Sequence, residues 1–190
     1  MKGPATATVL PASWLGMNPC PPLSFWLRWL LTLGLAVSCT SGPHYDGQVY
    51  RGHGLVFRTG PVGDGWVRLE ASHGLLAFRD EGARSTILVN GRCGQDGDDV
   101  PLTALTAHLF LRFTERKVDE EKLVPFDGRE ALHTVMTAKL DGVPMRFEVV
   151  VTKKDGCVYD FVLIASPETF DSARPKFQRF VDGFHAEPRP

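Results

Sequence analysis

Phe126-Asp127-Gly128-Arg129, Leu140-Asp141-Gly142-Val143 and Lys154-Asp155-Gly156-Cys157 place three Asp-Gly pairs at a constant spacing of fourteen residues. Both central residues of a type I′ turn need positive φ, which Asp tolerates and Gly adopts freely. The three pairs therefore predict tight hairpins joining strands of about a dozen residues, an antiparallel meander. The segments between the turns alternate accordingly. Leu132, Thr134, Met136, Ala138 and Leu140 share one face, with His133, Val135, Thr137 and Lys139 opposite. Met145, Phe147, Val149 and Val151 alternate with Arg146, Glu148 and Thr152. Val158 to Ala165 is apolar at nearly every position except Asp160, the pattern of a central strand covered on both faces.

Downstream, Ser166-Pro167-Glu168 predicts a helix start, with Ser166 as cap and Pro167 in the first turn. Phe170, Ala173, Phe177, Val181 and Phe184 recur at helical spacing, and Phe180 widens the stripe. Pro175 inside this helix is expected to kink it or split off its first turn. His185 to Pro190 reads as a polar, frayed tail. Upstream, a helix is expected from about Pro101 to Thr114, with Asp99 as N-cap and Leu102, Leu105, Leu109, Phe110 and Phe113 as its apolar side. Earlier still, Val49 to Arg58 reads as one strand whose glycines mark a bulge. Trp66 to Leu69, Leu75 to Arg79 and Ser85 to Asn90 read as further strands. His53-Gly54-Leu55 is echoed by His73-Gly74-Leu75 without a further copy, so no repeat architecture follows.

The first forty residues read differently. Trp29 to Val37 is almost wholly apolar with Arg28 ahead of it. A bilayer-spanning helix needs about 20 apolar residues, so this shorter run suits the core of a signal peptide. Met17 offers an alternative start. Residues 1–38 are read as the signal, 39–48 as a short polar tether, 49–185 as one α+β domain and 186–190 as the tail. The remainder after the signal, about 150 residues, is long enough to bury its own core. Formal net charge is −1 and apolar content 43%. No basic face is evident, which gives no support to nucleic-acid binding.

Of four cysteines, Cys20 falls in the signal and Cys39 at its end. Cys93 and Cys157 remain, an even pair in a chain read as exported, and are expected to form a disulfide. Chemistry beyond that finds little footing. Asp96, Asp98 and Asp99 form an acidic loop, but Ala107 stands where a calcium loop would close on glutamate, so a solvated loop is the reading. His53, His73, His108, His133 and His185 fit no metal or protease spacing. No GxSxG, GxxxxGK[ST] or GxGxxG occurs at a helix start. Trp66, Tyr159 and the phenylalanines match core faces better than a pocket. Lys153-Lys154 and Arg112, Arg116, Lys117 read as solvated ends of elements. No enzyme activity, cofactor or metal is expected.

Two resemblances add to this. Leu35-Ala36-Val37-Ser38-Cys39 resembles the lipobox of bacterial lipoproteins, although Ala36 stands where leucine is preferred. The resemblance implies cleavage before Cys39, acylation of its sulfur and new amine, and membrane attachment. Thr40, where aspartate favours inner-membrane retention, implies the outer membrane over the inner. The second covers about Val49 to Phe184. It rests on an opening strand with a Phe, Trp66, the Pro101-Leu102-Thr103-Ala104-Leu105 helix start, the meander, and Tyr159 to Phe170 running on to Phe180 and Phe184. This order resembles the PsbP-like fold and myxobacterial-type lipoproteins of that shape. It implies an antiparallel sheet packed between helices, an α/β/α sandwich. It also implies a non-catalytic assembly or adaptor module, with no catalytic residue set carried over. The reading is therefore an envelope lipoprotein whose domain contacts another protein, with a carrier of a small apolar ligand between sheet and helix as the alternative and a hydrolase with a dispersed site last.

Overall fold

A computed structural model describes residues 42–70, 74–94 and 99–187 of the chain. In chain order these form β1 (His44–Tyr45), β2 (Val49–Gly52), β3 (Leu55–Arg58), β4 (Val67–Leu69), β5 (Leu76–Asp80) and β6 (Ser85–Cys93). Then come α1 (Leu102–Leu109), β7 (Thr114–Phe126), β8 (Arg129–Leu140), β9 (Val143–Lys154), β10 (Cys157–Ala165), α2 (Phe170–Asp182) and β11 (His185–Ala186).

The meander is present. Asp127, Asp141 and Asp155 have φ of 47°, 51° and 53°, each followed by a glycine at positive φ. The chain crosses after β6 to the far edge at β7 and returns strand by strand, until β10 pairs antiparallel with β6. The large sheet therefore has the order β4-β5-β6-β10-β9-β8-β7, with β10 in the middle. β10 is buried along nearly its whole length, as its composition predicts.

Apolar residues on the two faces of this sheet form two clusters. On one face Leu105 and Phe110 pack with Met136, Phe147, Val149 and Val162 beneath α1. On the other, α2 seats Phe170, Ala173, Phe177, Phe180 and Val181 against Phe161 and Leu163. Burying each of the larger apolar side chains among these contributes about 1.5–3 kcal/mol. The coarse expectation of an antiparallel sheet between helices is met. The second layer, however, is shared: a four-stranded sheet, β1-β2-β3-β11, brings Tyr45, Tyr50 and Phe57 into the α2-side core.

Several local expectations are corrected. Val49–Arg58 is not one bulged strand but a hairpin, because His53 (φ 52°) and Gly54 (φ 72°) form a fourth turn of the Asp-Gly kind. α1 ends at Leu109 instead of Thr114, and Pro101, not Asp99, sits at its cap without a side-chain bond. α2 begins at Phe170, and Ser166 takes part through its carbonyl, which accepts the Phe170 N–H. Pro175 does not split α2. Pro175 and Asp171, whose carbonyl loses its partner, both lie on the exposed face, where water replaces the missing bond. The sheet also takes in residues on either side of 49–185. β1 pairs with β2, and β11 pairs with β3 while Ala186 is buried.

Gly60 and Gly183 fasten α2 to the small sheet. The Gly60 N–H donates to the Phe180 carbonyl, and a Cβ on either glycine would collide with the other segment's backbone. Only the missing side chain permits this approach.

Candidate functional site

The α2 side of the sheet carries the densest polar construction among the described residues. Its centre is Glu148 on β9, a fully buried carboxylate. His133 on β8 lies diagonal to it, since His133 pairs with Val150 and Val135 with Glu148, so both side chains leave the same face. His133 Nε2 donates to Glu148 Oε1 at 2.7 Å. From above, α2 lowers Arg174 and Gln178, one helical turn apart. Arg174 Nε donates to Oε2 at 3.1 Å and Gln178 Nε2 to Oε1 at 2.9 Å. Burial pushes the Glu148 carboxyl up, but the His133 and Gln178 hydrogen bonds and the Arg174 charge outweigh it, leaving it below the ordinary carboxylate range.

The edge strand β7 supplies the outer wall through a bulge. Val118 pairs with Met136, but Glu120, two residues on, pairs with the very next residue, Val135. The extra residue, Asp119, flips the alternation and turns Glu120, Lys122, Val124 and Phe126 toward the α2 side. Glu120 Oε2 then lies 3.8 Å from Arg174 Nη2, and Lys122 Nζ bonds Glu120 Oε1 at 2.5 Å.

Between α2 and β7–β9 lies a cleft of about 300 Å³, walled by Val124, Phe126, Val150, Phe177 and Val181 with His133 and Glu148 in its floor. That volume is at the small end of the range for ligand sites. His133 is nine-tenths buried, yet its Nδ1 has no hydrogen-bond partner.

Two other carboxylates, one buried and one half-buried, do different work. Asp160 on β10 accepts from Asn90 Nδ2 at 2.7 Å, and Arg92 Nη1 stands 3.9 Å away. Burial here prevails over the Asn90 bond and the Arg92 charge, and the Asp160 carboxyl is raised. Asp127, at the first meander turn, receives Lys154 Nζ, the Ala186 N–H and His185 Nδ1, and so latches β11 to the hairpin.

Cys93 and Cys157 are bonded across β6 and β10 as direct register partners, with Cα atoms 4.0 Å apart. Cys39 and Cys20 lie outside the described residues, as do His73, Asp96 and Asp98; Asp99 is described and exposed. Lys153 and Lys154 are not solvated ends: their ammonium groups bond the Val100 carbonyl and Asp127. Trp66 and Tyr159 pack into the α2-side core, as their spacing predicts. His108 lies in the last turn of α1 and His53 sits in a turn. Sequence reasoning left the His133–Glu148 and His185–Asp127 pairs unassigned. The available signal was Glu148, a lone acid among apolar strand residues, with Arg174 and Gln178 spaced by four on the closing helix.

No family profile and no curated protein matches the chain by sequence. Solved structures do resemble it. Cyanobacterial PsbP (CyanoP) from Synechocystis sp. PCC 6803 aligns at 15% identity over 70% of this chain and 87% of that one, with a TM-score of 0.53. LpqN of Mycobacterium tuberculosis, described as involved in cell envelope biogenesis, aligns at 15% identity over 70% of this chain and 84% of its own, with a TM-score of 0.50. A Bacteroides thetaiotaomicron structure aligns at 12% identity over 77% of this chain and 50% of that chain, with a TM-score of 0.51. At these identities the likeness is one of fold: the described domain has a PsbP-like fold.

Proposed function

We propose that this chain is a cell-envelope lipoprotein, held by acyl groups on Cys39, whose folded domain is a non-catalytic binding or assembly module for another envelope protein. The Cys93–Cys157 disulfide carries the location, because such bridges persist in oxidising compartments outside the cytoplasm. The apolar run ending at Cys39 supplies the attachment, and Thr40 favours the outer membrane. The fold likeness to LpqN, whose description ties it to the envelope, points the same way. What favours binding over nucleophilic catalysis is the lack of a paired nucleophile: among the described residues the side-chain hydrogen-bond partners of His133 and His185 are the carboxylates Glu148 and Asp127, and neither ring is bonded to a serine, threonine or cysteine side chain.

Mass spectrometry of the mature protein from cell envelopes tests this reading. The expected N-terminus is a triacylated Cys39, and Cys39→Ala is expected to release the domain from membranes. A mature N-terminus elsewhere, with the protein in the soluble fraction, would overturn it. A second reading, favoured by the cleft between α2 and β7–β9, is that the domain carries a small, largely apolar ligand there.

A further inference from the structure

The fold shortens the link between Cys39 and the domain, which decides how the domain stands on a membrane; the inference rests on the acylation of Cys39 proposed above. The sequence reads residues 39–48 as a tether, but His44 and Tyr45 already pair with Arg51 and Tyr50. Pro43 is held as well: a Cβ on Gly52 would fall 2.7 Å from the Pro43 Cβ. Only Thr40 and Ser41 then separate Cys39 from Gly42. Three residues of fully extended chain reach about 11 Å. A Cys39 kept at a bilayer by its acyl groups therefore keeps Gly42 within that distance of it.

The chain enters the domain at one end of the large sheet. Gly52 pairs with Leu55, and a Cβ on Gly91 would fall 2.8 Å from Leu55 Cδ1. Gly91 lies next to the end of β6, which closes at Cys93. A cleft of about 620 Å³ joins Pro43 to His53, Arg68, Leu69, Glu70 and Leu75, so the end of β4 stands beside the entry point. Leu69 is 40% exposed there, an apolar side chain that gains by leaving water, and the exposed Arg68 and Glu70 flank it in sequence. The other end of the sheet is far off. β8 and β9 carry the Asp141–Gly142 turn away by the length of a strand, about 35 Å at the ordinary rise per residue. Leu140 and Val143 are exposed beside that turn, several times beyond the reach of the link.

We propose that the end of the domain around Pro43, His53, Arg68 and Leu69 is seated on the lipid surface, and that the short link to Cys39 enforces this orientation, with the Asp141–Gly142 tip facing away from the membrane.

Paramagnetic lipid tests it. The full chain, as the cell processes it, is placed in phosphatidylcholine nanodiscs that contain a lipid with a gadolinium chelate on its headgroup. Labelled valine and leucine methyl groups report by NMR, with Leu69 and Leu75 as sensors near the entry point and Leu140 and Val143 at the tip. The near pair is expected to lose its signal and the tip pair to keep it. Inserting a Gly/Ser segment of about 20 residues between Ser41 and Gly42, about 25 Å in r.m.s. length, leaves the domain untouched and is expected to abolish the contrast. Mass spectrometry of the same samples reports whether Cys39 is acylated. In an acylated protein, signal loss that falls on Leu140 and Val143 as heavily as on Leu69, or on neither end, would overturn the orientation and leave the lipoprotein reading standing. A contrast unchanged by the insertion would overturn the short link as its cause. A protein without acyl groups that stays off the discs would overturn the lipoprotein reading and the orientation together.

Discussion

Glu148 and Asp160 are carboxylates on adjacent strands of one sheet, both almost wholly buried, and their surroundings push them in opposite directions. Glu148 faces α2 and receives donors from β8 and twice from the helix. Asp160 sits between Val158 and Val162 on the α1 side, with one amide donor and a guanidinium 3.9 Å away. Desolvation is the largest influence on each. Three close donors, one of them a guanidinium, exceed it at Glu148, and one neutral donor does not at Asp160. Burial alone therefore does not fix a carboxylate's protonation; the count and charge of its donors do.

The sharpest way to break the contrast is Glu148→Ala. It leaves Arg174 and His133 facing an emptied floor, and removing one member of a buried ion pair costs about 3–5 kcal/mol. Urea unfolding followed by circular dichroism should show that loss. A cost below about 1 kcal/mol would mean that the network is decoration on an otherwise sufficient core.

Next in size is the support under Asp160. Cys93–Cys157 and Asn90–Asp160 are two rungs of the same β6–β10 ladder. The bond closes a loop of sequence separation 64, so the paired variant Cys93→Ala, Cys157→Ala should lose about 2–4 kcal/mol. If Asp160 depends on that seam, thermal unfolding of the double variant should become insensitive to Asp160→Asn.

The smallest and most discriminating effect is the pH dependence. Glu148 lies below its ordinary value of 4.5, so its contribution is complete above that pH and is lost as pH falls through the depressed value. Asp160 lies above its ordinary 3.8, so the fold binds its proton more readily than the unfolded chain, and its contribution grows as pH falls toward that range. Glu148→Gln should therefore flatten the acid limb of stability against pH below about 4.5. Asp160→Asn should leave neutral-pH stability within about 1 kcal/mol of the parent, on the stabilising side. It should also remove the opposing rise. Unfolding free energies measured from pH 7 downward would show either variant changing the wrong limb.

The sequence made the meander legible because its signals are local. An Asp-Gly pair fixes a turn within two residues, and strand alternation fixes a face within four. Val158 to Ala165 declared its central place for the same reason. The His53-Gly54 turn was hidden because His carries no strong preference for positive φ, although it adopts the same geometry as Asp127. β1 and β11 were hidden because two-residue strands have no periodicity to detect. The cleft was the least legible of all. It needs residues from β7, β8, β9 and α2, and the turn of Glu120 toward it depends on a bulge at Asp119 that alternation alone cannot reveal.

The small sheet has a consequence for the time course of folding. Every hairpin of the meander joins neighbours along the chain and can zip up as soon as its turn forms. β3 has a different fate, because one of its edges waits for β11, more than a hundred residues later. Until α2 is wound and Gly183 has passed under Gly60, Phe57 and Tyr50 lack their lid and β3 offers an open edge. The chain thus carries this open edge through most of its folding, and pairing by β11 is the event that ends the exposure.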